Sequence, residues 1–237
     1  MPEDKLDSTR CPGLNIYRDG NLIYGHTLGA GDQDSLPGEL SRCLRIRKDR
    51  LGSYWLSQEH TCRVVESGSR DPGNTADGFI LDTPGMIGII RTADCTPLFF
   101  WDDRGDTAGL VHVGWRGLAG GILTNLRQLL EKRNVDFNQL NIWMGPAIEG
   151  ACYPVGEELP AIFPGPSREF WGFSRLSGAN LTLDVRKGIK NFLRDAGIPE
   201  SRIVNSRVCT FCEGKLPSYR RDGPDCGRIL NFILRKP

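Results

Sequence analysis

Residues 86–117 read MIGIIRTADCTPLFFWDDRGDTAGLVHVGWRG. Three short apolar runs, residues 86–91, 97–101 and 107–113, follow one another closely, and Asp103-Arg104-Gly105-Asp106 marks a turn between the last two. Runs of this length bounded by turn residues predict strands. After Arg116-Gly117 the period changes. Leu118, Ile122, Leu126, Leu129 and Leu130 recur at helical spacing and predict one helix. A second helix is predicted where Val185, Ile189, Phe192, Leu193 and Ala196 follow Asp184, an N-capping residue type, and stop at Gly197. Residues 140–144, 181–183, 202–209 and 229–234 predict further strands. Strands outnumber helices and come partly in runs, the pattern of an α+β fold with mixed sheets. Glycine and proline are spread through the chain as turn punctuation, with no repeat or long linker, so the expectation is a single domain over residues 1–237.

Composition narrows the function. The chain has 237 residues, enough to bury a sizeable core, with 39% hydrophobic and 25% charged residues. Thirty basic and 29 acidic side chains leave a net charge of +1, too weak a field to recruit nucleic acid or an acidic membrane surface. The start, MPEDKLDSTRCPG, carries mixed charge without an apolar core, and no apolar run reaches the ~18 residues of a membrane span. The expected location is the cytoplasm, where the eight cysteines are free thiols unless they bind metal or react.

Only three histidines exist: His26, His60 and His112. His60 ends Gln58-Glu59-His60, His112 lies in the third predicted strand, and Cys95 ends Thr92-Ala93-Asp94-Cys95 at the junction of two others. Two imidazoles and a thiolate make a three-ligand set for zinc, with a fourth position left for water or substrate. From residue types alone, a half-buried cysteine beside two hydrogen-bonded core histidines is an equally available reading. Cys95 and His112 also suit a thiolate nucleophile with its base. Cys209-Thr210-Phe211-Cys212 is a CxxC with no second pair in the sequence to complete a zinc knuckle.

The blocks TADCTPLFFWD (92–102), HVGWRGLAGGIL (112–123), MGPAIEGACYPVG (144–156) and CTFCEGKLPSYRRDGPDCGR (209–228) occur in this order. Together they resemble the laccase-domain family, also described as multicopper polyphenol oxidase-like, peptidoglycan editing factor or purine nucleoside phosphorylase. The resemblance implies a four-layer α/β/β/α arrangement and places the metal ligands on His60, Cys95 and His112. It implies action on purine nucleosides, by phosphorolysis or by deamination of adenosine, and alternatively a cysteine hydrolase or amidase that edits peptidoglycan precursors. A protein that keeps the metal but has lost turnover is the third possibility.

Three histidines are too few for the copper centres of a true laccase, and a blue-copper site wants an axial methionine that no motif supplies, so Zn2+ is expected before copper. The usual zinc-deaminase signature is absent, since Thr61-Cys62 follows His60 and Val113-Gly114 follows His112. For phosphate, the candidate anchors are Arg116 at a strand-to-helix turn, with Tyr219 and Arg220 near the C-terminus. Asp94 beside Cys95 is a candidate acid/base, a partner that orients a ligand, or a structural cap. The pattern repeats only the first half of the CxxC, Cys209-Thr210, which leaves Cys212 incidental. The likeness fails in a divergent segment over residues 1–57. There Leu28 stands where the family has arginine, and beyond it Thr61 stands where the family has glycine. Loss of that arginine predicts that deamination survives better than phosphorolysis.

Overall fold

The computed structural model describes residues 11–68, 75–165, 167–175 and 180–237, with the backbone of residues 4–5. Residues 1–3 and 6–10 of the divergent segment lie outside the described residues. One six-stranded sheet contains β1 (Asp4–Lys5), β2 (Leu14–Asp19), β3 (Leu22–Thr27), β4 (Gly52–Trp55), β7 (Met86–Thr92) and β14 (Ile229–Arg235), in the order β1-β2-β3-β14-β7-β4. The other contains β5 (Val64–Glu66), β6 (Gly78–Ile80), β8 (Thr96–Asp102), β9 (Ala108–Val113), β10 (Leu140–Met144) and β13 (Ile203–Asn205), in the order β13-β10-β8-β9-β6-β5. A two-stranded pair, β11 (Phe173–Arg175) and β12 (Leu181–Leu183), stands apart. Both large sheets are mixed. β4–β7, β5–β6 and β10–β13 pair in parallel, and the other neighbours are antiparallel.

The layers follow from side-chain alternation. Successive strand residues point to opposite faces, so Phe99 and Trp101 of β8 enter the core between the sheets while Leu98 and Phe100 enter the next one. On β9, Ala108 and Leu110 oppose Val111 and Val113 in the same way. The middle core also takes Trp143 from β10 of the same sheet and Tyr24 and Ile233 from the facing one. A second core lies under α1 (Leu36–Leu44), whose Leu36 and Leu40 meet Ile23, Ile87, Ile89 and Phe232. A third packs Leu118, Ile122 and Leu126 of the helical segment after Gly114, with Ile189 and Leu193 of the helix after Asp184, onto the β8–β10 region. Three cores between four layers give α/β/β/α, an α+β architecture with both faces of each sheet covered.

One helical expectation and one strand expectation change in detail. The helix after Arg116-Gly117 is broken into α2 (Trp115–Ala119) and α3 (Ile122–Lys132), because Gly121 takes a φ of +89° between them. A left-handed residue of this kind ends one helix, and glycine alone adopts it without steric cost. α4 (Val185–Asp195) agrees with the sequence, including the Asp184 side chain accepting from the Lys187 N–H at 3.1 Å. The strand expected over 202–209 shrinks to β13, since β10 offers partners only for residues 203–205. α1 and the β2–β3 hairpin have no counterpart in the sequence reading. Among the described residues no helix is long and apolar enough to cross a membrane.

The 92–96 segment is the hinge of the architecture. β7 ends in the first sheet at Thr92 and β8 begins in the second at Thr96, so Ala93, Asp94 and Cys95 carry the chain from one sheet to the other.

Candidate active site

Cys95 sits at this crossover, and the end of β9 brings His112 to it, because Thr96 of β8 pairs with Val113 and Pro97 with His112. His60 arrives on the loop before β5. Gln58 anchors that loop to β7 like an added strand, donating from Nε2 to the Arg91 carbonyl and accepting the Arg91 N–H, both at 2.8 Å. The result is a group of three donors, one ring nitrogen from each histidine and the Cys95 sulfur, all within 4.8 Å of one another. Cys95 Sγ and His60 Nε2 are 3.8 Å apart, and the two imidazoles meet edge to face with centroids 4.8 Å apart.

Asp77, one residue before β6, organises two of the three. Its carboxylate is fully buried. Oδ1 accepts from His112 Nδ1 at 2.7 Å and from the His60 N–H at 3.1 Å. Oδ2 accepts from the Thr61 N–H at 2.6 Å and the Thr61 hydroxyl at 2.7 Å. Holding the Nδ1 proton of His112 leaves its Nε2 lone pair for the site. His60 adopts a φ of +56°, a conformation that costs an L-residue about 1–2 kcal/mol. Bonds from backbone N–H groups to a charged acceptor are worth about 1.5–3 kcal/mol each, so Asp77 outweighs the cost of the turn that presents His60.

Close approach also requires Gly114. A Cβ at this position would stand 2.9 Å from Cys95 Sγ and 3.1 Å from His60 Cδ2, so only glycine leaves the donors where they are.

Electrostatics follow from this packing. Burial by itself pushes the Cys95 thiol up, but the His112 and His60 imidazoles outweigh it and bring it down to about 6. Burial likewise opposes the charged form of His112, yet the Cys95 thiolate and the Asp77 bond raise it to about 9. Each group thus favours the charged form of the other. Burial would raise the Asp77 carboxyl, and the His112 and Thr61 hydrogen bonds hold it below its ordinary value instead.

The donors open into a pocket of about 740 Å³, within the usual range for small-molecule sites. Arg116, Tyr219 and Arg220 all line it, as does Asp94. Asp94 has a φ of +86°, and both its oxygens are engaged, with the Thr210 hydroxyl at 2.6 Å and the Arg220 N–H at 2.7 Å. It therefore ties the crossover to the C-terminal segment and to α5 (Tyr219–Asp222), which carries Tyr219 and Arg220. Arg116 lies over the Trp115 ring at 4.4 Å and Arg220 over the Tyr153 ring at 4.7 Å, so aromatic faces hold both cations. Arg220 also donates to the Pro154 carbonyl at 2.9 Å. Burial, with the Cys95 charge beside it, pushes the Tyr153 phenol up to about 12, so it stays a hydrogen-bond donor.

Several residues of the pocket carry no signal in the sequence. Asp77 stands in an ordinary Thr75-Ala76-Asp77-Gly78 step, and only the pairing of Gly78 with Val111 places it beside His112. Arg91 and Arg228 bring two more guanidinium groups to the same wall. Leu28 lies elsewhere, in a separate depression with Thr27, Gly29 and Asp32, so four arginines line the pocket with no contribution from position 28. His26 stays outside the site. It is buried in β3, its Nδ1 bonded to the Thr27 carbonyl at 2.9 Å. Arg221 is occupied by the carbonyls of Thr210, Phe211 and Leu216.

The sequence model of the multi-copper polyphenol oxidoreductase laccase family matches residues 37–236, and the chain belongs to that family. It is 33% identical over 199 residues to purine nucleoside phosphorylase YlmD of Geobacillus stearothermophilus, covering 76% of this chain and 70% of that protein. It is 29% identical over 228 residues to purine nucleoside phosphorylase YfiH of Shigella flexneri, covering 95% and 91%. The crystal structure of the hypothetical protein YfiH from Bacillus licheniformis superposes with a TM-score of 0.80 at 24% identity, over 95% of this chain and 97% of that one. That likeness shows the fold.

Proposed function

We propose that the protein is a metal-dependent enzyme of purine nucleosides, carrying out phosphorolysis at the ribose C1′ and, as a separate reaction in which water adds at the purine C6 and ammonia leaves, deamination of adenosine. The observation that carries this reading is the joining of the His60–Cys95–His112 donor group with four arginines in one pocket. The names of the YlmD and YfiH relatives point to the same substrate class. The donors fit zinc: two imidazole nitrogens and one thiolate on one side, a pocket on the other, and a carboxylate orienting the buried imidazole. Copper fits less well, because neither Met86 nor Met144 lines the pocket. When bound, zinc supplies Lewis-acid polarisation and lowers the pKa of water.

In phosphorolysis a phosphate oxygen forms a bond to the ribose C1′ while the C1′–N9 bond breaks, and its electron pair leaves with the purine, which takes up a proton. The dianion needs cations held in place beforehand, and Arg116 and Arg220 are held over aromatic rings. Tyr219, exposed at the pocket, offers an apolar face for the base. Asp94 acts as a positioning residue, since its two oxygens hold Thr210 and Arg220.

One observation favours a second reading. Asp77, His112 and Cys95 stand in the order carboxylate, imidazole, thiolate, the arrangement of a cysteine hydrolase. The two readings part on chelation. Adenosine and inosine are incubated with and without phosphate, and ribose 1-phosphate, free base and ammonia are measured. The metal reading expects turnover to vanish with chelator and return with Zn2+. Full turnover in chelated protein, abolished by alkylating Cys95, establishes the thiol mechanism instead.

A further inference from the structure

A second group of soft donors lies behind the pocket wall. Cys152 closes a short helical turn over Gly150–Cys152, and Cys209 and Cys212 stand nearly sixty residues further along the chain. The fold brings their three sulfurs within 4.8 Å of one another, with Cys152 and Cys212 in contact at 3.4 Å. We propose that Cys152, Cys209 and Cys212 form a second metal site, a three-thiolate site for a soft ion of the zinc type. It fastens the 150–152 turn to the 209–212 segment.

The spacing suits the ion. Zinc–sulfur bonds of about 2.3 Å in tetrahedral geometry put sulfurs about 3.8 Å apart, between the contact and the outer limit seen here. Cys209 is buried, and the Glu149 N–H donates to its sulfur at 3.4 Å. An N–H donor aimed at the sulfur is the support that a ligating thiolate takes. Arg186, buried to 3% exposure, lies close to Cys209 and donates to the carbonyls of Ala147 and Val208 around it. Three thiolates with a divalent ion carry one net negative charge, and this guanidinium, ion-paired to Glu149 at 3.6 Å, adds a positive charge to the same neighbourhood. Cys212 is exposed, which supplies an entry path and an open fourth position.

A disulfide between Cys152 and Cys212 accounts for the 3.4 Å contact but leaves the Glu149 N–H at Cys209, the third sulfur, without a purpose. The site also has a structural consequence. Tyr153 follows Cys152, and Thr210, which bonds Asp94, follows Cys209, so the ion would clamp two segments that hold the pocket.

The test uses the full chain, reduced, stripped of metal, reloaded with Zn2+ and freed of excess. Zinc per chain is then measured for the wild type and for C95S, C212S and C95S/C212S. The expected results are two, one, one and none. Cys212 is exposed, so C212S keeps its fold, and a circular dichroism melt checks this. Reloading with Co2+ adds a spectroscopic signature: the sulfur-to-metal charge-transfer band should fall far more in C212S than in C95S. Should the His60–Cys95–His112 reading fail while this one holds, the wild type and C95S both bind one zinc and C212S binds none. Equal zinc in C212S and wild type overturns the proposal. So does isolated protein that carries no zinc at these cysteines and has lost two hydrogens in mass, which establishes the disulfide.

Discussion

The His60–Cys95–His112 group and the Cys152–Cys209–Cys212 group are alike in size, each gathering three donors within 4.8 Å, but they are supported differently. The first stands where the chain passes between two sheets, with His112 on a buried strand and a buried carboxylate fixing the ring tautomer. The second rests on short turns and loops, steadied by the Glu149 N–H and one buried arginine. A site on strands with a committed carboxylate is shaped before anything binds. A site on turns gains much of its order from the ligand. Chemistry is expected at the first and stapling at the second.

The sharpest way to break this comparison is to remove a donor from the first group. C95S and H112A are each expected to abolish zinc binding there and to bring nucleoside turnover to background, while the three-thiol group keeps its ion. Zinc stoichiometry and turnover on the same preparations check this, and substantial turnover in H112A rejects it.

Asp77→Asn comes next. It keeps the shape but disturbs the acceptor for His112 and for the turn at His60. Loss of such an orienting carboxylate costs about 10–100-fold in metal affinity. It also leaves buried donors imperfectly paired, at about 1–3 kcal/mol. A competition titration for zinc and a thermal melt should both move, and an unchanged affinity would separate Asp77 from the site.

Arg116→Ala addresses the pocket rather than the donors. One charge-assisted contact is worth about 1.5–3 kcal/mol, roughly tenfold or more in the KM for phosphate. Arg116 is exposed and bonded to no carboxylate among the described residues, so the melting temperature is expected to hold and adenosine deamination to fall much less. Equal losses in both reactions would count against the phosphate role.

Gly114→Ala has the smallest expected effect, and it isolates geometry from chemistry. The backbone there, φ −91° and ψ 170°, accepts alanine, so stability should change by less than about 1 kcal/mol. The added carbon presses on Cys95 and His60, and a several-fold loss of zinc affinity is expected in the same titration. No loss would mean that the donors move aside freely and that the site is less rigid than its strand support implies.

Much of this site was legible before the fold. Cys95 lies at the junction of two apolar runs that read as strands and His112 inside a third, and with only three histidines in the chain, two in unusual surroundings draw attention. Their convergence was readable only through the resemblance of the blocks, because three ligands from three elements have no spacing rule. Asp77 was not legible, since a carboxylate before a short strand looks like any turn residue until β6 is laid against β9. Cys212 looked incidental for the same reason: its partner Cys152 is remote along the chain, and a CxxC by itself names no third ligand.

The chain by itself determined what lies within a local window. Short apolar runs bounded by turn residues made β7, β8, β9 and β10, and period 3.6 after Arg116 and after Asp184 made helices, since both depend on neighbours a few residues away. Composition likewise decided that no array of histidines for several coppers could exist. Tertiary structure decided everything that joins distant segments. Gly121 broke the predicted helix in two, Asp77 came to hold both histidines, Arg91 and Arg228 joined the pocket, and Cys152 met Cys209 and Cys212. The register of β6 on β9 and the passage of the chain between sheets at residues 93–95 set those meetings, and both are fixed by burial of three cores at once rather than by any short stretch of sequence.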